Sequence, residues 1–172
     1  MKPKFNNRPN TEHSLDGKTI WNSRSVAVVG VIISRVNSKL YVLMEKRSSI
    51  MDHPGKWCLP CGYIDWDETG WEAVIREIYE ETGLYMFDHK SFSSLSGMQP
   101  FFVNTDPKEN RQNISLSYGF VCPNLTIPVH SNPEVDEVRL IDVLDLDKYD
   151  IAFNHAERVR MFIDKTDRKS VV

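Results

Sequence analysis

Two glutamates, Glu80 and Glu81, follow Glu77 by three and four residues within the segment 71–82. At roughly 100° per residue, a helix would place these three carboxylates within one arc of its surface. Like charges at such spacings cost a helix about a few tenths of a kcal/mol per pair. Two explanations are open. Arg76 could neutralise a solvated acidic face, or the carboxylates could hold a hard divalent cation such as Mg²⁺.

A second candidate for chemistry is the pair Cys58 and Cys61 in the segment WCLPCG. Two cysteines separated by two residues occur in thiol–disulfide exchange sites and in halves of zinc sites. The residues after Cys61 lack the helix start that a thioredoxin-type site needs, and Cys122 alone does not supply a second zinc-ligand pair. The sequence therefore favours neither role, and an odd number of cysteines suits a reducing compartment.

The acidic segment has the start and stop signals of a helix over 69–83. Thr69 can cap the N-terminus, with Glu72 closing a capping box, and Gly83 suits the left-handed position after the last turn. The apolar side chains recur on one stripe: Trp71, Val74, Ile75 and Ile78, with Tyr79 at its edge. This pattern predicts that the helix packs on a sheet and turns its glutamates away from the core.

Several β-rich segments would supply that sheet. The apolar run VAVVGVII at 26–33 favours a strand buried on both faces, and KLYVLMEKR at 39–47 favours a hairpin partner. Further strands are predicted near FSSLSGM, NISLSYGFVC and EVRLIDV, and a closing helix at 153–165 with Asn154 as its cap. These elements predict an α+β fold, an α/β/α sandwich around a central mixed sheet.

Composition indicates one globular domain. The chain has 172 residues, with 41% hydrophobic and 26% charged residues. The net charge of −3 without a long basic run argues against nucleic-acid binding. No apolar stretch is long enough for a bilayer and no secretory signal is evident, so we expect a cytoplasmic protein that binds no membrane. We expect an extension over 1–22, one domain over 23–165 and a frayed tail over 166–172.

The region around the acidic helix resembles the Nudix box, the signature of the Nudix hydrolases. GYIDWDETGWEAVIREIYEETGL fills all nine specified positions: Gly62, Glu68, Arg76, Glu77, Ile78, Glu80, Glu81, Gly83 and Leu84. The lead-in GKWCLPCG is similar to the G-x-W-x-L-P-G-G of the family, with Cys61 in place of a glycine. The resemblance implies the Nudix fold and hydrolysis of a nucleoside diphosphate linked to another group.

The resemblance also implies a cofactor, Mg²⁺ or Mn²⁺. Glu77, Glu80 and Glu81 would hold the metal, with the main-chain carbonyl of Cys61 as a further ligand. Such a metal would neutralise the phosphates, orient them and lower the pKa of a bound water.

Other residues of the box would support these ligands. Arg76 would orient the carboxylates and Glu68 would brace the loop against the helix. Gly62 would let the backbone approach the site closely, and Gly83 would end the helix.

The identity of the general base stays open at this point. One of the box glutamates could serve, as could Glu134 or Glu137 in the segment NPEVDEV. The alternative interpretation of the last two is that they are ordinary acids in an exposed loop.

Outside the box, LPCGYID, TDPKENRQNISLSYGF and IAFNHAERV resemble the ADP-ribose pyrophosphatase branch. In this comparison Arg111 would clamp a phosphate, Arg47 would reach the phosphates, and Phe101 or Phe102 would stack on adenine. Two adjacent phenylalanines near a strand are more often core or interface residues. ADP-ribose or a similar nucleotide sugar is the predicted small-molecule substrate.

Two further functions remain as alternatives. One is a housecleaning pyrophosphatase that acts on (d)NTPs. The other is a non-catalytic nucleotide-sensing domain, against which the complete box and the net charge argue. Members of the family commonly form homodimers, although nothing in this sequence shows an interface.

Overall fold

The computed structural model describes residues 10–86, 93–94, 97–106 and 113–169, with the backbone alone at residues 21 and 167–169. The strands are β1 (Thr11–Leu15), β2 (Lys18–Asn22), β3 (Val26–Val36), β4 (Lys39–Arg47), β5 (Trp57–Cys58), β6 (Cys61–Tyr63), β7 (Ser93–Ser94), β8 (Phe102–Asn104), β9 (Ile114–Val121) and β10 (Val135–Asp142). The helices are α1 (Gly70–Thr82), α2 (His155–Lys169) and a 3₁₀ helix (Val143–Lys148).

The main sheet is mixed, as predicted, with its strands in the order β10-β4-β3-β9-β7. Strands β3 and β9 are parallel, and the other neighbours are antiparallel. Strands β3 and β4 pair over 33–36 and 39–42, and toward their other ends β6 pairs with β3 while β5 pairs with β4. The Gly30 N–H donates to the Pro60 carbonyl at 2.9 Å. The segment WCLPCG is therefore wedged into the centre of the sheet.

Side chains of β3 alternate between two cores, because successive residues of a strand point to opposite faces. Val28 and Ile32 belong to the core beneath α1, whereas Val29, Val31 and Ile33 belong to the core beneath α2. The α1 core contains the predicted helical stripe: Val74, Ile75 and Ile78, with Trp71 packed against it. One helix thus covers each face of the sheet, and the predicted α/β/α sandwich is confirmed.

Helix α1 has the predicted ends. The Thr69 side chain accepts the Glu72 N–H, and the Glu72 carboxylate accepts the Thr69 N–H at 2.8 Å, which completes the capping box. Gly83 adopts φ 70° and donates its N–H to the Tyr79 carbonyl at 2.8 Å. A Cβ atom at Gly83 would lie 2.7 Å from the Cβ atom of His130, so both conformation and space favour glycine here.

Helix α2 begins differently from the prediction. Asn154 precedes the helix, but its φ of 56° is left-handed, as is the φ of 59° at Phe153. An N-cap residue ordinarily has extended backbone, so Asn154 does not have the expected capping conformation. The helix starts at His155 and continues to Lys169, beyond the predicted end at 165. The two left-handed residues turn the chain so that the first turn of α2 faces the centre of the sheet.

The predicted strand segment FSSLSGM and the predicted N-terminal extension each contain short strands. Of FSSLSGM, the structure assigns Ser93–Ser94 to a strand. Within the predicted N-terminal extension, β1 and β2 form a separate two-stranded antiparallel sheet. In the described part of the chain, no helix is both long and apolar enough to cross a membrane.

Candidate active site

A cleft of about 840 Å³ lies between the acidic side of α1, strand β6 and the start of α2. The structure brings seven of the predicted site residues to its wall: Arg47, Cys61, Gly62, Arg76, Glu77, Glu81 and Glu134. Six others are described but do not line the cleft: Glu68, Glu80, Gly83, Phe101, Phe102 and Glu137. Arg111 lies outside the described residues.

Arg76 organises the acidic wall. Its Nε and Nη2 atoms donate to the two oxygens of Glu68 at 3.0 and 2.5 Å, a bidentate pair. Its Nη1 atom donates to Glu77 Oε1 at 2.7 Å and to Glu80 Oε2 at 3.0 Å. Its Nη2 atom also reaches the Tyr63 carbonyl at 2.9 Å. These contacts lower the pKa of Glu68 and raise that of Arg76, because each charge stabilises the other.

Glu77 packs directly on the backbone of β6. Its side chain is 12% exposed, and burial raises the pKa of its carboxyl group. A Cβ atom at Gly62 would lie 2.1 Å from Glu77 Oε1. Only glycine leaves room for this contact, which explains why the box specifies Gly62.

Glu81 is more deeply buried, at 4% exposed. Its Oε2 atom accepts the Cys61 N–H at 2.8 Å. Burial, followed by the neighbouring Glu45 carboxyl group, raises the pKa of Glu81 well above its ordinary value. Glu81 therefore holds its carboxyl group beside the Cys61 backbone in a medium that disfavours an uncompensated negative charge.

Glu45 belongs to the same cluster and was missed by the sequence analysis. It is 1% exposed, its Oε1 atom accepts the Cys58 thiol at 3.2 Å, and its Oε2 atom has no hydrogen-bond partner among the described residues. Burial raises its pKa well above the ordinary value. The available signal was the alternation along β4, because Glu45 follows the core residue Leu43 by two positions and therefore points to the same face of the sheet.

The cysteines have structural contacts here. All three are free thiols, and Cys58 is buried between the Glu45 carboxyl group and Arg47 Nη1, which lies 3.6 Å from its sulfur. Cys61 pairs with Val29 as part of β6, and its φ angle is not positive. A cysteine therefore fills this position without backbone strain and presents its N–H to the acidic wall.

The opposite wall carries Arg47 and the start of α2. Arg47 is buried, donates from Nε to the Asp52 carbonyl at 2.7 Å and forms an ion pair with the Asp52 carboxylate. Its guanidinium carbon also lies 5.1 Å from the centre of the Phe153 ring. These contacts hold Arg47 at the cleft with most of its donors engaged.

His155 lies beside these residues and is buried. Its Nδ1 atom accepts the Leu59 N–H at 3.0 Å. Burial, then the positive charges of Arg158 and Arg47, lowers its pKa to about 3. The imidazole is therefore neutral at pH 7, and since Nδ1 is an acceptor, the proton resides on Nε2. The bond to Leu59 fixes the orientation of the ring.

The other predicted residues are divided between the cleft and the surrounding structure. Phe101 packs on Phe162 with ring centres 5.0 Å apart, so its ring is part of the α2 core. Glu134 lines the cleft, whereas Glu137 accepts a hydrogen bond from Arg139 Nε at 2.8 Å on β10. Of the two proposed extra bases, only Glu134 lines the cleft.

The donors on the acidic wall suit a hard cation. Within the described residues, no group of three or more His, Cys, Asp or Glu side chains is arranged to hold a metal ion by itself. The wall presents carboxylate oxygens of Glu77 and Glu81 on one open side, and the buried carboxyl group of Glu45 interacts with that of Glu81. An open, all-oxygen set is what Mg²⁺ uses when phosphate oxygens complete its coordination. The residues present therefore fit the metal that the resemblance implies.

Comparison with known proteins identifies the family. The profile of the NUDIX domain matches residues 24–162. The chain belongs to the Nudix hydrolase family. Its predicted family, its fold class and its assignment as a hydrolase are thereby confirmed.

Individual relatives of this Nudix chain differ in how much they share with it. It is 28% identical over 141 residues to an ADP-ribose pyrophosphatase of Methanocaldococcus jannaschii, an alignment covering 81% of this chain and 73% of that protein. It is 37% identical over 86 residues to the m7GpppN-mRNA hydrolase NUDT17 of Danio rerio, covering 49% of this chain but only 28% of that protein.

A solved structure shows the same fold. The NUDIX domain of Shewanella oneidensis NrtR, complexed with ADP ribose, superposes with a TM-score of 0.62 at 19% identity. The match covers 88% of this chain and 90% of that one.

Proposed function

We propose that this Nudix hydrolase cleaves the phosphoanhydride of a nucleoside diphosphate linked to another group, with ADP-ribose or a similar nucleotide sugar as substrate. The observation that carries the proposal is the acidic wall, where Glu77 and Glu81 face one cleft beside the Cys61 backbone and Arg76. The choice of substrate is supported by the archaeal relative, which is named for ADP-ribose hydrolysis, and by the ADP ribose in the Shewanella complex.

Glu77, Glu81 and the Cys61 carbonyl would hold Mg²⁺ or Mn²⁺ at this wall. Glu80, which is 52% exposed and accepts a hydrogen bond from Arg76 at Oε2, would add a third carboxylate. When bound, the metal supplies charge neutralisation at the phosphates and acidifies a coordinated water.

The remaining side chains of the site would position the carboxylates and accept a proton. Arg76 fixes the carboxylates through four hydrogen bonds to Glu68, Glu77 and Glu80. Glu134, on the rim of the cleft, is our choice for the base that accepts a proton from the attacking water.

A substrate panel tests the proposal. ADP-ribose, NADH, diadenosine polyphosphates and modified dNTPs are each incubated with the protein and Mg²⁺, and the products are followed by chromatography. We expect AMP from ADP-ribose and complete loss of this activity with EDTA. Pyrophosphate from dNTPs without AMP from ADP-ribose would instead support the housecleaning activity. Binding of ADP-ribose without cleavage of any compound would support the nucleotide sensor. A cytoplasmic location and a homodimer remain predictions of the sequence.

A further inference from the structure

Arg158 is a buried cation that has no acidic partner among the described residues. It is 6% exposed and lines the cleft one turn after His155. Its guanidinium carbon lies 4.3 Å from the centre of the Phe102 ring, and its Nη1 atom lies 3.8 Å from the Met161 sulfur. Among the described residues, no carboxylate forms an ion pair with Arg158.

Burial of the Arg158 charge is unfavourable unless another group compensates it. A buried cation loses hydration worth several kcal/mol, and a cation–π contact returns only about 1–2 kcal/mol. The other two arginines on the cleft wall have acids: Arg47 pairs with Asp52, and Arg76 pairs with Glu68, Glu77 and Glu80. Of the three cleft arginines that the structure describes, Arg158 is thus the exception.

His155, one turn before Arg158 on the same wall, is a hydrogen-bond donor. His155 is neutral and carries its proton on Nε2, which is a hydrogen-bond donor. Arg47, His155 and Arg158 all line the cleft, and the positive charges of the two arginines both act on His155. A guanidinium packed over a ring by its face keeps its N–H edge available, and that edge matches two oxygens of a phosphate.

We propose that Arg158, supported by the Phe102 ring and joined by His155 Nε2–H, binds a phosphoryl group of the substrate on the wall opposite the acidic one. The site is built for an anion whether or not the chain is a hydrolase. The identification of that anion as a substrate phosphoryl group rests on the proposed function. Arg158 is accordingly a substrate-binding residue that secures the nucleotide from the α2 side.

Binding of AMP in EDTA isolates this subsite from the metal. Isothermal titration with the full chain compares wild type with Arg158→Met, which keeps the length of the side chain without its charge. We expect the Kd of AMP to rise at least about tenfold, the effect of losing one charge-assisted contact. Arg158→Lys should lie between the two. Arg160→Met is the matched control, since Arg160 is exposed on the same helix and pairs with Asp147; its Kd should stay within about twofold.

Kinetics provides a second readout. If ADP-ribose is cleaved, Arg158→Met should raise KM at least about tenfold and change kcat far less, because the contact is present before and during the reaction.

Equal AMP affinity in wild type and Arg158→Met would overturn the subsite, as would failure of wild type to bind AMP. If Arg158→Met does not fold, as judged by circular dichroism, Arg158→Lys decides, and unchanged affinity then overturns it. AMP binding that depends on Arg158, without cleavage of any compound in the panel, would refute the proposed hydrolysis and leave the subsite intact.

Discussion

At the scale of single residues, the carboxyl groups of Glu45 and Glu81 form a buried acidic pair at the cleft wall. Both are buried, and burial raises the pKa of each carboxyl group well above its ordinary value, with the Glu45 carboxyl group raising the pKa of Glu81 further. Two adjacent buried acids resist full ionisation unless a proton or a cation compensates them. A divalent cation at the wall would provide that compensation, so the cluster links stability of the metal-free protein to function.

Glu81→Gln is expected to reduce turnover of ADP-ribose by about 10²-fold or more, since the amide keeps the size of the side chain but lacks the charge for a cation. The hydrogen bond from Cys61 N–H to the side-chain oxygen can be retained, so the fold should be unaffected. Steady-state kinetics in Mg²⁺ is the measurement, with circular dichroism to verify folding.

Glu72→Gln serves as the control on the same helix. Glu72 is exposed and contacts Thr69 in the capping box, where glutamine also fits. Wild-type turnover in Glu81→Gln, or equal losses in both variants, would contradict the assignment of Glu81 to the metal.

Gly62→Ala should displace the Glu77 carboxylate, because the new methyl group would lie 2.1 Å from Oε1. The expected results are a lower melting temperature and a loss of activity comparable to that of Glu77→Ala. In the double variant, truncation of Glu77 removes the clash, so Gly62→Ala should cost less stability there than in wild type. Additive changes in melting temperature would show that Gly62 is not required for this contact.

At the scale of elements, the cleft depends on how closely α2 packs on the sheet. Gly119 of β9 lies directly beneath Phe162 of α2, and a Cβ atom at Gly119 would lie 1.9 Å from a ring carbon. Helix α2 contributes to both regions: Arg158 lines the cleft, and Phe162, one turn later, lies in the α2 core. Displacement of the ring would therefore shift His155 and Arg158 as well.

Gly119→Ala is expected to destabilise the fold by about 1–3 kcal/mol, the usual effect of overpacking a core. Thermal unfolding measures it. Phe162→Leu in the same chain makes room for the methyl group, so the double variant should be more stable than the sum of the single changes predicts. If Gly119→Ala is as stable as wild type, the close approach of α2 to β9 is not as described.

At the scale of the whole molecule, the buried acids predict how stability depends on pH. Glu45 and Glu81 have ordinary pKa values near 4.5 and raised values in the folded state. The folded state therefore holds more protons than the unfolded state between these limits. Stability contributed by the protonated pair is fully present below the ordinary value and is lost as pH rises through the raised value.

The melting temperature in EDTA should consequently fall as pH rises from the ordinary pKa near 4.5 through the raised pKa values of the pair, relative to a Glu45→Gln/Glu81→Gln variant that cannot titrate there. Each kcal/mol corresponds to about 2–4 °C for a chain of this size. Mg²⁺ should reduce the difference at the higher pH, since it binds the ionised form. Parallel pH curves of the two proteins in EDTA would rule out a raised pKa for the pair.

The sequence by itself determined the parts whose logic is local. The apolar stripe of α1, its capping box and Gly83 follow from helical periodicity and from backbone conformations that few residues favour. The Nudix box fixed the identity of the acidic wall, because its residues are brought together by a single helix and the loop before it. The strands 26–33 and 39–47 followed from runs of β-favouring apolar residues.

Only the tertiary structure decided which distant residues share the cleft. Glu45 is on β4, whereas His155 and Arg158 are on α2, and no periodicity in the chain relates them to α1. Their meeting depends on the wedge of WCLPCG between β3 and β4 and on the left-handed turn before α2. Likewise, Phe101 packs in the core while Phe102 supports Arg158, because neighbouring side chains of an extended segment point to opposite sides. Burial and missing partners exist only in the folded chain, and they distinguish Arg158 from Arg47 and Arg76, the other two described arginines at the cleft.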